Sequence, residues 1–144
     1  MSLLRLEKVV VDYGSIHALK EIDIDVNTGE VITLIGANGA GKTTTLRTIT
    51  GLEKAASGSI TFDGHDMRKT EPSKIITLKL AHVPEGRHIF PQMTVEENLE
   101  MGAFTNPTDM AKTMADVYER FPRLKERKRQ LAGTLSGGEQ QMLA

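Results

Sequence analysis

The sequence predicts an α/β fold in which a strand-rich first part meets a helical second part near residue 85. Three observations carry that expectation. Short strand-like segments crowd the stretch before Pro84, and a glycine-rich loop follows one of them. From Thr94 onward, apolar residues recur at three-and-four spacing. Residues 1–84 therefore read as a β-rich part with the glycine loop, and residues 85–144 as a helical part. A chain of 144 residues fits one domain and can hide about two thirds of its unfolded surface.

The elements follow in order. Leu3 to Val11 is rich in Leu and Val, while Ile22, Ile24 and Val26 alternate with charged residues, the period of a half-exposed strand. Val31 to Ile35 is a nearly continuous apolar run, which predicts a strand covered on both faces. Asn27-Thr28-Gly29 supplies the turn between these last two segments. Thr43 to Gly51 predicts a short helix with Leu46, Ile49 and Thr50 on one face and Gly51 as its stop. Ser59 to Phe62, bracketed by Ser57-Gly58 and Asp63-Gly64, predicts another strand. Pro72 to Leu80 predicts a helix with proline near its first turn, and Leu80 to Val83 a buried strand closed by Pro84. Beyond the join, Val95, Asn98, Leu99 and Gly102 fit one helix. Asp109 to Phe121 fits a longer one, in which Met110, Met114, Val117, Tyr118 and Phe121 form a stripe for packing.

Composition narrows the function classes. Eighteen Lys+Arg stand against 19 Asp+Glu, a net charge of -1, which offers no electrostatic argument for nucleic acid as a partner. The run Arg123, Lys125, Arg127, Lys128 and Arg129 reads as a solvated helix face compensated by Glu119 and Glu126. Cysteine is absent, so disulfides, thiolate metal sites and cysteine nucleophiles are excluded. The histidines His17, His65, His82 and His88 are scattered without metal-ligand spacing. No stretch approaches the roughly 20 apolar residues that cross a bilayer, and Arg5, Glu7 and Lys8 break the N-terminal apolar run. The expectation is a soluble cytoplasmic domain.

The most informative segment is Gly36-Ala37-Asn38-Gly39-Ala40-Gly41-Lys42-Thr43, which satisfies G-x-x-x-x-G-K-[ST] between an apolar run and a helix. Glycines at these positions let successive N–H groups point into one concavity, and the helix that follows adds its own unpaired amides. Lys42 is placed to reach the β/γ-phosphates, and the Thr43 hydroxyl to complete the coordination of Mg²⁺; Thr44 follows on the same turn. This chemistry indicates a nucleoside triphosphate without choosing the base.

A second motif, Leu135-Ser136-Gly137-Gly138-Glu139-Gln140, resembles the signature of ATP-binding-cassette (ABC) proteins. Ser136, Gly137 and Gly138 stand where a helix begins, a small hydroxyl-and-amide cup suited to phosphate. The order of the two motifs is similar to that of the ABC ATPases, P-loop NTPases with a RecA-like core and a helical subdomain. That resemblance implies ATP and Mg²⁺ as ligands. It places Tyr13 where the family stacks an aromatic ring on adenine, and Asn38 also fits the family's loop. The stretch from Val83 to Leu99, containing Pro84-Glu85-Gly86-Arg87, resembles the cassettes of branched-chain amino-acid importers, in particular the second, F-type, of their two paralogous ATPases. Most ABC proteins carry at the position of Glu85 a glutamine that touches Mg²⁺ and the attacking water; the resembled subfamily shares the glutamate.

The resemblance implies a head-to-tail pair of cassettes, with ATP held between the phosphate loop of one and the serine-glycine cup of the other. It also implies membrane permease subunits as partners, with no nucleic acid, and a peripheral place on the inner face of the membrane. The family's strand ending in Asp-Glu and its switch histidine have no counterpart in these 144 residues, so no catalytic residue is assigned within them. The expectation is accordingly an incomplete cassette: ATP hydrolysis in a longer parent, and at best weak Mg-ATP binding without turnover here. A non-hydrolysing nucleotide-binding fragment and an ABC ATPase of DNA or translation systems stand as the other readings.

Overall fold

A hairpin opens the chain. In the computed structural model, which describes residues 2–104 and 107–144, β1 (Ser2–Tyr13) and β2 (Ile16–Asn27) pair antiparallel from Ser2↔Asn27 to Tyr13↔Ile16. β3 (Ser57–Phe62) lies antiparallel on the other side of β1, and β4 (His65–Asp66) pairs with β3, giving the order β2-β1-β3-β4. The register of β1 slips between Leu6 and Val9, where Lys8 takes a positive φ of 47° and its N–H donates to Asp23 Oδ1 at 2.8 Å. This bulge lets Leu6, Val9 and Val11 all enter the core despite their uneven spacing. Leu19, Ile49, Ile60, Phe62, Met67 and Ile75 complete that cluster.

The chain divides into two compact units, Met1–His82 and Val83–Ala144. The first holds the sheet with α1 (Lys42–Ile49) and α2 (Pro72–Ile75). In α1 the core side is Thr45, Thr48 and Ile49, with Thr50 just beyond; Leu46 is exposed, so the expected Leu46–Ile49–Thr50 face is rotated. The threonine hydroxyls are satisfied inside the helix, Thr45 Oγ1 donating to Gly41 O at 2.9 Å and Thr48 Oγ1 to Thr44 O at 2.7 Å. The helix expected over Pro72 to Leu80 ends at Ile75, continues as one 3₁₀ turn over Ile76–Leu78, and stops where Lys79 adopts φ 63°.

Two expected strands are not present. Val31 to Ile35 is irregular, with Val31 91% and Ile35 92% exposed, and Leu80 to Val83 is likewise outside any strand. Apolar composition creates a demand for burial, but a strand also needs a neighbour for its N–H and C=O groups, and neither segment has one among the described residues.

The second unit contains α3 (Val95–Gly102), α4 (Met110–Arg120), α5 (Pro122–Glu126) and α6 (Gly137–Leu143). Val95, Leu124, Ala132, Leu135 and Leu143 form its core. The expected α4 stripe packs through Val117 and Tyr118, although no residue of α4 is fully buried. α3 begins with a reciprocal cap: Thr94 N–H donates to Glu97 Oε2 at 2.7 Å and Glu97 N–H to Thr94 Oγ1 at 3.2 Å. Asn98 pins the preceding loop, accepting from Phe90 N–H at 2.8 Å and donating to Phe90 O at 3.0 Å. No helix among the described residues is long and apolar enough to cross a membrane.

Candidate functional site

The glycine loop belongs to the first unit and rests on β2. Gly39 and Gly41 have φ of 85° and 88°, in the left-handed region that favours glycine. A Cβ on Gly41 would stand 2.6 Å from Leu19 Cδ2 and 2.9 Å from Ala18 O, so the loop reaches this close to the strand only because position 41 has no side chain. The turn is closed by Ala40 N–H donating to Ala37 O at 3.1 Å, and α1 starts immediately, at Lys42. Its N-cap Gly41 offers no side-chain acceptor and its first turn no acidic residue. The opening amides of α1 thus have no side-chain cap, the arrangement that lets a helix start accept an anion.

Lys42 folds back over this concavity. Its Nζ donates to Gly36 O at 2.7 Å and to Ala37 O at 2.8 Å, which parks the ammonium above the loop. Gly36, Asn38, Gly39 and Ala40 are exposed around it, as is Thr43, while Thr44 is half-buried on the same turn. Tyr13 ends β1 at the hairpin turn, paired with Ile16 and 43% exposed.

The signature lies in the second unit. Ser136 is the N-cap of α6, with its N–H donating to Glu139 Oε2 at 3.0 Å and Glu139 N–H donating to Ser136 Oγ at 3.4 Å. Glu139 also receives Arg127 Nε at 3.2 Å, with Arg123 Nε at 3.7 Å. The Ser136 N–H and hydroxyl, and then the two guanidinium groups, hold its carboxyl below the usual glutamate value. Gln140 Nε2 donates back to Gly133 O at 3.2 Å and Leu135 O at 3.1 Å, and Leu135 is buried in the core. The hexapeptide is therefore an internally braced helix start, with Gly137 and Gly138 at its tip. Glu85 stands in an exposed turn of the second unit. Among the described residues no group of three or more His, Asp or Glu side chains is arranged to hold a metal ion.

Sequence reasoning named Glu139 within the signature but missed its capping role, and it missed the pairing of Arg123 and Arg127 with that carboxylate. Glu139 acts as half of a capping box, readable from the S-x-x-E spacing, and Thr94/Glu97 repeats that spacing at α3. Arg123 and Arg127 were expected as a solvated face, yet both face Glu139. No local pattern signals that pairing, because it depends on how α5 meets α6.

Comparison with known proteins places these features in context. Residues 19–144 match the ABC transporter family. Over 143 residues the chain is 52% identical to the high-affinity branched-chain amino acid transport ATP-binding protein BraG of Pseudomonas aeruginosa, covering 99% of this chain and 61% of BraG. It is 36% identical to the probable branched-chain amino acid transport ATP-binding protein LivF of Archaeoglobus fulgidus, with the same coverage of 99% and 61%. The crystal structure of a nucleotide-free ATP-binding cassette from an ABC transporter superposes with a TM-score of 0.81 at 31% identity, covering 97% of this chain and 61% of that one. An ATP-binding subunit of an ABC transporter superposes with a TM-score of 0.85 at 27% identity, covering 99% and 59%. The chain spans about three fifths of the length of the curated relatives it matches, 61% in both cases.

Proposed function

We propose, from the premise that this chain belongs to the ABC transporter family, that the whole protein is the ATP-binding subunit of an importer for branched-chain amino acids. The observation that carries the reading is the phosphate loop: two left-handed glycines, an uncapped helix start and a lysine held above them. The 52% identity to BraG supports the solute class, since the loop itself contains nothing that distinguishes one solute from another.

In this reading Gly36, Ala37, Asn38, Gly39, Ala40, Gly41, Lys42, Thr43 and Thr44 bind the triphosphate, and Tyr13 stacks on the base. Lys42 exchanges two carbonyl acceptors for phosphate oxygens, a stronger, charge-assisted pairing. The exposed Thr43 hydroxyl fits one position in the shell of Mg²⁺, which when bound would neutralise phosphate charge. Glu85 as a second Mg²⁺ contact rests on the family resemblance alone. Leu135, Ser136, Gly137, Gly138, Glu139 and Gln140 take the nucleotide of a second cassette, in a head-to-tail pair seated on permease subunits at the inner face of the membrane. Residues 1–84 serve the bound nucleotide, and residues 85–144 serve the partner's nucleotide and the permease.

The test is Lys42→Ala in the whole protein, reconstituted with its permease. Hydrolysis and solute uptake are both expected to fall about a hundredfold or more, as for loss of a positioned charge on a transferring phosphoryl group. Hydrolysis that persists in Lys42→Ala, or that is indifferent to branched-chain amino acids in the wild type, sinks the reading.

A further inference from the structure

Within the second unit, the loop from Glu85 to Met93 is fastened to the segment that leads into the signature. Thr94 bridges Leu131 antiparallel, Ala132 N–H donates to Met93 O at 2.8 Å, and Gly133 N–H donates to Pro91 O at 2.9 Å. A Cβ on Gly133 would stand 2.9 Å from that same carbonyl oxygen and 3.0 Å from Pro91 Cβ, so the approach requires glycine. At the other end of the loop, Gly86 and Arg87 have φ of 101° and 55°, and Ile89 N–H donates to Arg87 O at 2.7 Å, closing a three-residue turn. The turn delivers the Arg87 side chain onto Gly137. A Cβ there would meet Arg87 Nη2 at 2.8 Å, Cζ at 2.9 Å and Nη1 at 3.1 Å, so the guanidinium lies against the bare α-carbon of the signature glycine.

We propose that Arg87 is a positioning residue for the signature. Its guanidinium on Gly137 and the Pro91–Gly133 pairing make the 85–93 loop and the start of α6 move together. The inference rests on the reading that Ser136, Gly137 and Gly138 receive the nucleotide of a second cassette, and it names the residue that sets where that cup stands. The Ser136–Glu139 box fixes the shape of the cup from inside, which leaves its placement as the adjustable quantity. Placement is what the loop controls through contacts at both of its ends. A planar guanidinium can lie flat on a glycine, whereas an ammonium cannot.

The experiment uses the whole protein, with ATP turnover and binding of a fluorescent ADP analogue measured side by side. Arg87→Ala is expected to lower kcat about tenfold or more, because misplacement by about 1 Å is costly, while ADP affinity, a property of the phosphate loop, stays within about twofold. Arg87→Lys should recover little. Gly133→Ala should reproduce the kcat loss by prising Pro91 off the segment that leads into the signature. A wild-type kcat in Arg87→Ala overturns the proposal. So does a loss of ADP affinity and thermal midpoint in step with kcat, which marks a merely structural role. Ser136→Ala, measured in parallel, separates inference from premise: if it leaves turnover intact, the signature reading itself fails. If it is impaired and Arg87→Ala is not, only the positioning role fails.

Discussion

The carboxylate of Glu139 does more than cap a helix. It accepts from the Ser136 N–H at 3.0 Å and lies beside Arg127 at 3.2 Å, so one side chain ties the start of α6 to the end of α5. These partners prefer the ionised form, and the Ser136 backbone contact is the largest cause of the lowered pKa. A carboxyl with a lower pKa folded than unfolded stabilises the fold above its unfolded value, and that contribution is lost as pH falls through the folded value. Glu139→Gln keeps an acceptor but removes the charge. Its thermal midpoint should therefore sit below the wild type at pH 7, with the gap closing as the buffer is taken below the ordinary value of 4.5. Scanning calorimetry across that range measures it, and a gap that stays constant into acid would show that charge contributes nothing here. Lys42 is the complementary case: its two carbonyl partners are neutral, so its ammonium is restrained without being paired to an opposite charge by them.

Among the elements, β1 is the one on which the first unit depends, since it carries both long ladders of the sheet, with β2 on one side and β3 on the other. Its bulge at Glu7–Lys8 is matched across β3 by Gly58, whose φ is 89° and whose added Cβ would collide with the backbone of both bulge residues. Gly58→Ala should therefore destabilise the chain by about 2 kcal/mol or more, combining left-handed strain with the collision. Urea denaturation gives the number; an unchanged midpoint would mean that β1 and β3 do not meet there. The bulge also explains what was legible in the sequence. Period-two alternation located the β2 residues Ile22, Ile24 and Val26, and bracketing turns located the strand ending at Phe62, but the Leu6–Val9 slip hides β1's register from any pattern count. The glycine loop ahead of α1 and the Ser136 start of α6 were legible because both are local patterns, a run of glycines and a hydroxyl at fixed spacing. Val31 to Ile35 was misread because hydrophobicity reports a demand for burial and cannot report whether a neighbouring strand meets it. Arg87, Arg123 and Arg127 were invisible as contributors for a related reason: each acts on an element distant in sequence.

At the scale of the whole molecule, each unit has its own core, yet the first also carries Val31, Ile32, Ile35, Leu46 and Leu52 on its surface. Scattered exposed apolar residues are ordinary, but a contiguous run such as Val31–Ile35 invites association with another surface. The relatives are longer than the stretch they share with this chain, and the family resemblance implies that parallel strands flank this run in a complete cassette. One pair of substitutions, Val31→Lys with Ile35→Lys, should therefore have opposite consequences in two contexts. In the 144-residue chain both side chains are in water, so light scattering and dye binding should fall while the thermal midpoint holds. In the whole protein the same lysines would be forced into a covered strand, and stability should drop by about 3 kcal/mol or more, the penalty for burying unpaired charge. Equal behaviour in the two contexts would mean that nothing covers Val31 and Ile35 in either. The glycine loop would then hang from an exposed tether, its seat on the sheet resting on the close approach of Gly41 to Leu19 and Ala18.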